Sequence, residues 1–347
     1  MSELDPALAR YSRQVLFEPI GAAGQKRLML SHVALVGCGA LGTVLANTLV
    51  RAGVGNLRIV DRDFVELDNL QRQVLFDEHD LAANLPKAEA AARKLHKVNS
   101  SVSVEAVVAD VHSGNVESFC SDVDLILDGT DNFETRFLIN DVAIKHSIPW
   151  VYGACVAAEG LVMPILPGKT ACLRCIWEEA PPPGMSPTCD TAGVLGSIVN
   201  IVASFQAVEA MKILMGKLDA VNRELLTIDV WSGRVRGMNM QQAREAGNCA
   251  CCKQRRFDFL TGARSSTAVT LCGRDAVQIS PADGAAKINL RQIADRLRSQ
   301  RAVSNEFLLK FSVDNLAITV FTDGRAIVKG TRDAAVARSV YAKYVGA

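Results

Sequence analysis

The chain has 347 residues, 49% of them hydrophobic, enough to bury a large core and to divide into one big and one small domain. Lys and Arg number 38 against 37 Asp and Glu, which excludes a general attraction to nucleic acid or to an anionic membrane and leaves electrostatic work to local clusters. The acidic start Met1-Ser2-Glu3-Leu4-Asp5 lacks the basic and apolar regions of a signal peptide, so a cytoplasmic location is expected, where ten cysteines should serve as thiols or metal ligands.

In chain order, His32-Val33-Ala34-Leu35-Val36 reads as a strand, Gly37-Cys38-Gly39-Ala40-Leu41-Gly42 as a glycine turn, and Leu41 to Val50 as a helix. Such a turn aims backbone N–H groups and the positive end of a helix dipole at one point, and the missing side chains let a phosphate approach. The pattern predicts a nucleotide without saying which one, because dehydrogenases, flavoproteins and several ATP users share it. Gly53-Val54-Gly55 ends the helix. Leu57 to Val60, the alternating Val102 to Val108, Val123 to Leu127 and Trp150-Val151-Tyr152 then read as strands, with helices at Pro86 to Val98 and Phe133 to His146. This alternation implies an α/β fold, a Rossmann-like, mostly parallel sheet with helices on both faces. The uncharged stretch Ala192 to Val208 approaches the length of a membrane span. Its Gly193, Gly196, Ser197, Asn200, Ser204 and Gln206, and its continuation into Glu209 and Lys212, favour a buried core helix, so no membrane partner is expected.

Ligands of such sheets sit beyond the carboxyl ends of the strands. Asp61 and Asp63 follow the second strand, and Asp61, 19 residues after Gly42, either binds ribose hydroxyls or caps a turn. Asp68-Asn69-Leu70-Gln71-Arg72-Gln73 comes next, and Lys87 opens the following helix. Dehydrogenases do not need these residues. A triphosphate does, because Arg and Lys neutralise oxygens that gain charge as pyrophosphate leaves. After the strand ending at Leu127, Gly129-Thr130-Asp131-Asn132 offers a carboxylate suited to magnesium, or else an N-cap for the helix behind it.

Taken with Arg10-Tyr11-Ser12-Arg13-Gln14 and Arg136, these motifs make the chain, from about residue 8 to about residue 257, resemble the ThiF/MoeB/HesA family, bacterial relatives of ubiquitin-activating enzymes. The resemblance implies an adenylyltransferase that moves AMP from ATP to the C-terminal glycine carboxylate of a small ubiquitin-like sulfur carrier ending in Gly-Gly. Pyrophosphate is released, in molybdopterin- or thiamine-type sulfur transfer. It implies that Gly37, Gly39 and Gly42 line the phosphate site, that Asp61, with Asp63 beside it, holds the ribose, that Asn69, Arg72, Gln73 and Lys87 grip the triphosphate, and that Asp131 binds Mg2+. Arg13 would reach into a partner subunit's site as an arginine finger, making a homodimer the expected form, with a cysteine desulfurase or other sulfur donor as a further partner. A carboxylate is already nucleophilic, so its attack on the α-phosphorus needs alignment and charge neutralisation rather than a catalytic Ser, His or Cys. His32, His79, His96, His112 and His146 accordingly fall outside the matched motifs. Alternatives are a ThiF-like enzyme acting on a peptide or a tRNA-bound carboxylate, an NAD-dependent oxidoreductase, and a non-catalytic zinc scaffold. Near-neutral charge counts against tRNA, and Arg72, Lys87 and Asp131 count against the last two.

Cys172-Leu173-Arg174-Cys175 and Cys249-Ala250-Cys251-Cys252 are two Cys-x-x-Cys units, a pattern that suits a closed tetrahedral zinc site, with free thiols or redox pairs as the other reading. The resemblance places structural zinc on Cys172, Cys175, Cys249 and Cys252. Regular spacing favours Cys249 and Cys252 over Cys251. The proline-rich run Ala180 to Cys189 should be an exposed connection. Cys189, ahead of the apolar helix, is a candidate for covalent bonding to the activated carrier, although adenylation does not require it.

Beyond residue 262 the character changes. Ile288 to Leu297 reads as a helix, Phe307 to Val313, Ala317 to Phe321 and Ala326 to Lys329 as strands, and Ala334 to Tyr344 as a helix, with Thr322-Asp323-Gly324 as a tight turn. The expected domains are a helical arm over 1–30, an adenylation domain with its zinc clamp over 31–260, and a small α+β domain over 268–347 that docks the carrier or supports a dimer. Cys272 there is expected to be buried or inert, and the ending Val345-Gly346-Ala347 is not that of a fused carrier.

Overall fold

The computed structural model describes residues 6–179, 189–262, 270–271, 275–279, 288–297, 302–313 and 315–345. Met1 to Asp5, the proline-rich run Ala180 to Thr188, Cys272, Gly346 and Ala347 lie outside them. Two units divide the chain, Met1–Arg264 and Ser265–Ala347.

In the first unit, apolar runs separated by helices form five parallel strands, β1 (His32–Val36), β2 (Asn56–Asp61), β3 (Ser103–Val108), β4 (Leu125–Asp128) and β5 (Trp150–Val156), in spatial order β3-β2-β1-β4-β5. The chain winds one way from β1 to β3 and the other way from β4, so a crevice opens beyond the ends of β1 and β4. Three antiparallel strands, β6 (Glu159–Ile165), β7 (Glu224–Asp229) and β8 (Arg234–Asn239), extend the sheet to eight. These three escaped the sequence reading. Gly160 and Pro164 break the β6 pattern, and β8 is exposed along its whole length, leaving no hydrophobic alternation to detect.

The Ala40–Ala52 helix buries Leu41, Val44, Leu45, Leu49 and Val50 and ends on Gly53, whose φ of 84° suits a left-handed C-cap. Beside it runs the Gly196–Leu214 helix, which also packs on β5 and β6. Close approach is possible because Gly160 has no side chain; a Cβ there would run into Val202. Among the described residues this is the one helix long and apolar enough to cross a membrane. Half of it is buried in the core, with Gln206 and Glu209 among the buried residues, so it is no clear span.

The second unit is a six-stranded antiparallel sheet in the order β11-β12-β13-β14-β10-β9. Its strands are β9 (Thr270–Leu271), β10 (Ala276–Ile279), β11 (Val303–Ser304), β12 (Leu308–Val313), β13 (Leu316–Phe321) and β14 (Ala326–Lys329). Helices Leu290–Arg296 and Ala334–Tyr344 supply Leu290, Ile293 and Ala337 to a core shared with Leu309, Ile318 and Val320. The β13–β14 turn passes through Gly324 at φ 86°.

Candidate nucleotide site and four-thiol clamp

The floor of the crevice is backbone packed on backbone. Gly37, at φ 91°, would place a Cβ 2.7 Å from the Gly129 carbonyl, and a Cβ on Gly42 or on Gly129 would overlap the Gly37 carbonyl oxygen. Gly37 N donates to Val60 O, and Gly129 N donates to Val36 O, each at 2.8 Å, so the turns after β1 and β4 are tied to the sheet. Gly39 differs. Its nearest neighbour on the Cβ side is Gln73 Nε2 at 4.0 Å, and no side chain caps the helix that it opens. First-turn N–H groups and open space therefore coincide at Gly39, the arrangement that receives a phosphate.

Asp61 closes one side. Its Oδ2 accepts from Cys38 N at 2.6 Å and its Oδ1 from Asp63 N at 2.7 Å, locking the glycine turn to the end of β2. Burial pushes this carboxyl up, against the pull of Lys87 and of the two amide donors. Asp61 thus makes the turn-capping bonds and keeps further acceptor capacity on both oxygens. The Cys38 thiol is pushed up by burial and takes no part as a nucleophile. Lys87, 3% exposed, opens the Lys87–Val98 helix; its N–H donates to Asp63 O at 2.9 Å and its Nζ to Asp63 Oδ2 at 3.3 Å. A buried ammonium fixed in this way is the kind of group that could meet a phosphate. Arg62 pairs with Asp110 at 2.8 Å and feels the charge of Asp131. It was missed in the sequence because it stands unmarked between the two aspartates.

The turn Leu67–Asn69 carries the next group. Asn69, fully buried, accepts from Glu66 N at 3.3 Å and donates to Asp68 Oδ1 at 2.9 Å, a capping box that shapes the turn. Arg72 donates to Asp68 O at 2.8 Å. Gln73 is buried with Oε1 lacking a protein partner, beside the open face of Gly39.

Across the crevice the N-cap of the Phe133–His146 helix is Asn132, whose side chain accepts from Thr135 N at 2.9 Å. Asp131 is therefore not the cap, and it stands exposed at the mouth. Behind it, Asp128 Oδ1 accepts from Thr130 N and Oγ1, while Arg136 bonds Asp128 Oδ2, Thr130 O and Gly153 O. β4 and β5 pair only at Ile126–Trp150 and Leu127–Val151 and then diverge. Gln206 fills the gap, donating Nε2 to Asp128 O at 2.9 Å and Val151 O at 3.2 Å. Its sequence signal was only an amide in an uncharged run that also holds Asn200.

Arg13 is not brought to these residues. Tyr11 Oη accepts from Asn99 at 2.9 Å, Gln14 donates to Ala52 O at 3.0 Å and Arg10 to Val98 O at 3.1 Å. All three anchors sit at the C-terminal ends of helices whose N-terminal ends carry Gly39 and Lys87. A 13-residue helix is about 20 Å long, well beyond the reach of an arginine. Arg13 itself is exposed. Cys189 opens a separate one-turn helix, Cys189–Ala192, broken from the long helix by Gly193 at φ 74°.

Cys172, Cys175, Cys249 and Cys252 gather with all four sulfurs within 4.8 Å of one another. The separations Cys172–Cys175 3.8 Å, Cys172–Cys249 3.6 Å and Cys175–Cys252 3.4 Å approach the roughly 3.8 Å edge of a ZnS4 tetrahedron with about 2.3 Å bonds. The donor set fits zinc. Cys251 is turned into the core, where it accepts from Asn140 Nδ2 at 3.3 Å.

A glycine turn at the switch point, a buried lysine beside it, and an exposed carboxylate across from them define a nucleotide-binding α/β protein built to handle phosphate, with a four-thiol clamp attached. The chain belongs to the ThiF family, whose model matches residues 11–252. It is 41% identical over 339 residues to the sulfur carrier protein ThiS adenylyltransferase of Bacillus subtilis (strain 168), covering 97% of this chain and 99% of that one. The similarity thus runs through the second unit. Over 240 residues it is 38% identical to the sulfur carrier protein adenylyltransferase of Thermus thermophilus, covering 68% and 88% of the two chains. Among solved structures, E. coli MccB with succinimide matches in fold, with a TM-score of 0.59 at 22% identity over 67% of this chain and 71% of that chain.

Proposed function

We propose that this chain is an ATP-dependent adenylyltransferase that activates the C-terminal glycine carboxylate of a ubiquitin-like sulfur carrier as an acyl-adenylate, with release of pyrophosphate. The observation that carries the reading is the buried Lys87 ammonium, held by Asp63 and close enough to the glycine turn for its charge to act on Cys38 and Asp61. Asp63 pairs with that charge across 3.3 Å, and a triphosphate is the ligand that would share it.

In this reading ATP lies with its phosphates on Gly39 and the N–H groups of the Ala40–Ala52 helix, its ribose toward Asp61, and Arg72, Gln73 and Lys87 around the β- and γ-phosphates. Asn69 contributes by shaping the turn that presents Arg72 and Gln73. Asp131 would hold Mg2+, which shields the phosphate charge and polarises the α-phosphoryl group. The carrier's carboxylate attacks in line, and the cations stabilise the departing pyrophosphate. The four thiolates would hold structural zinc.

Arg13 acts, in the same reading, from a second copy of the chain, because its anchors keep it from its own site. Exposed Leu16 and Phe17 next to it, and the exposed stripe Ile201, Phe205 and Val208 on the Gly196–Leu214 helix, are apolar surfaces that a homodimer would cover. Cys189 would act only after adenylation, in sulfur transfer from a desulfurase or other donor. Pathway, molybdopterin or thiamine type, follows from which carrier supports pyrophosphate exchange. The small second unit is proposed as a separate domain for carrier docking or dimer support. Magnesium-dependent exchange of labelled pyrophosphate into ATP, stimulated by a Gly-Gly-ended carrier, tests the assignment.

A further inference from the structure

One side chain touches both halves of the thiol cluster. Asn140, on the Phe133–His146 helix, is fully buried; its Oδ1 accepts from Leu173 N at 2.9 Å, inside the first Cys-x-x-Cys unit, and its Nδ2 donates to Cys251 Sγ at 3.3 Å, inside the second. The next residue repeats the tie, Asp141 Oδ2 accepting from Phe259 N at 3.0 Å just beyond the second unit. Arg174, inside the first unit, reaches across to Arg256 O at 3.2 Å and Asp258 Oδ2 at 3.1 Å and lies over the Phe259 ring.

Two segments 77 residues apart in sequence must be brought together before four sulfurs can share one ion, and that ordering costs entropy. An amide suits the joint because it donates and accepts at once, satisfying a backbone N–H on one side and a sulfur on the other. We infer that Asn140 is a positioning residue for the clamp: it registers the two Cys-x-x-Cys units on one buried helix, so that zinc is held more tightly and released more slowly. The inference rests on reading the cluster as a zinc site. Partners that orient metal ligands from outside the coordination shell are typically worth 10–100-fold in affinity.

The test is zinc release from the full-length protein into excess chromophoric chelator, well below the unfolding temperature. Asn140→Leu should release zinc about tenfold faster or more. Asn140→Asp, which keeps the acceptor for Leu173 N, should fall between it and wild type, and Cys251→Val, which removes only the other arm, should have a smaller effect. Leu45→Ala, in the core of the Ala40–Ala52 helix, should lower Tm and leave the release rate unchanged. Release from Asn140→Leu within about twofold of wild type, or no faster than from Leu45→Ala, would overturn the inference. Wild-type protein that neither carries zinc nor takes it up on refolding would instead overturn the reading of the cluster beneath it.

Discussion

Arg136 and Asp128 form an ion pair sealed from solvent, Nε to Oδ2 at 3.0 Å, and the same guanidinium bonds the Thr130 and Gly153 carbonyls. One side chain thus ties the end of β4, the turn that carries Asp131, and the diverging strand β5. Removing one partner leaves the other charge buried and unpaired. Arg136→Leu should cost about 3–5 kcal/mol in urea unfolding; a loss below about 1 kcal/mol would mean that solvent reaches the pair.

Gly39 and Gly42 make opposite predictions within one turn. Gly39 has room for a Cβ, so Gly39→Ala should still fold yet lose the rise in Tm expected with ATP and Mg2+. Gly42→Ala should lower Tm without any ligand, since the new methyl overlaps the Gly37 carbonyl. Thermal shift assays with and without nucleotide check both.

Gln206 and Gly153 form a lock that can be forced from either side. A Cβ on Gly153 would press into the Gln206 amide, so Gly153→Ala should destabilise by about 1–3 kcal/mol, as overpacking does. Gln206→Leu strands the Asp128 and Val151 carbonyls at a similar cost. Because both act on the splay between β4 and β5, the double variant should lose less than the sum of the two in denaturant titrations.

Metal removal separates the five clustered cysteines. Cys252→Ala should abolish stoichiometric zinc in the purified protein by elemental analysis, whereas Cys251→Ala should retain it, with faster loss. Chelation of wild type should lower Tm, because the ion joins segments that the chain keeps 77 residues apart.

Much of this was legible in the sequence where a local rule acts alone. The glycine turn, the parallel strands and the paired cysteines each follow from spacing, and the structure places them as expected. Asp131 and Asn132 are equally good cap residues by sequence, and the structure gives the cap to Asn132, which accepts from Thr135 N. Residues that act through tertiary contacts left weaker marks. Gln206 reads as one polar residue in a core helix until the divergence of β4 and β5 gives it two carbonyls. Asn140 has no motif around it. The anchors of Arg13 make sense only once two helices place their opposite ends far apart, and β8 lacks the hydrophobic alternation that reveals a strand.

Lys87, Arg72 and Asp131 are proposed to serve a triphosphate attacked by another protein's carboxylate, and carrier-dependent exchange of pyrophosphate into ATP measures that step directly. Wild type should catalyse exchange, Asp131→Ala and Arg72→Ala should show none above background with folding intact, and Cys189→Ala should be nearly unchanged. Normal exchange by the Asp131→Ala variant would contradict the assignment.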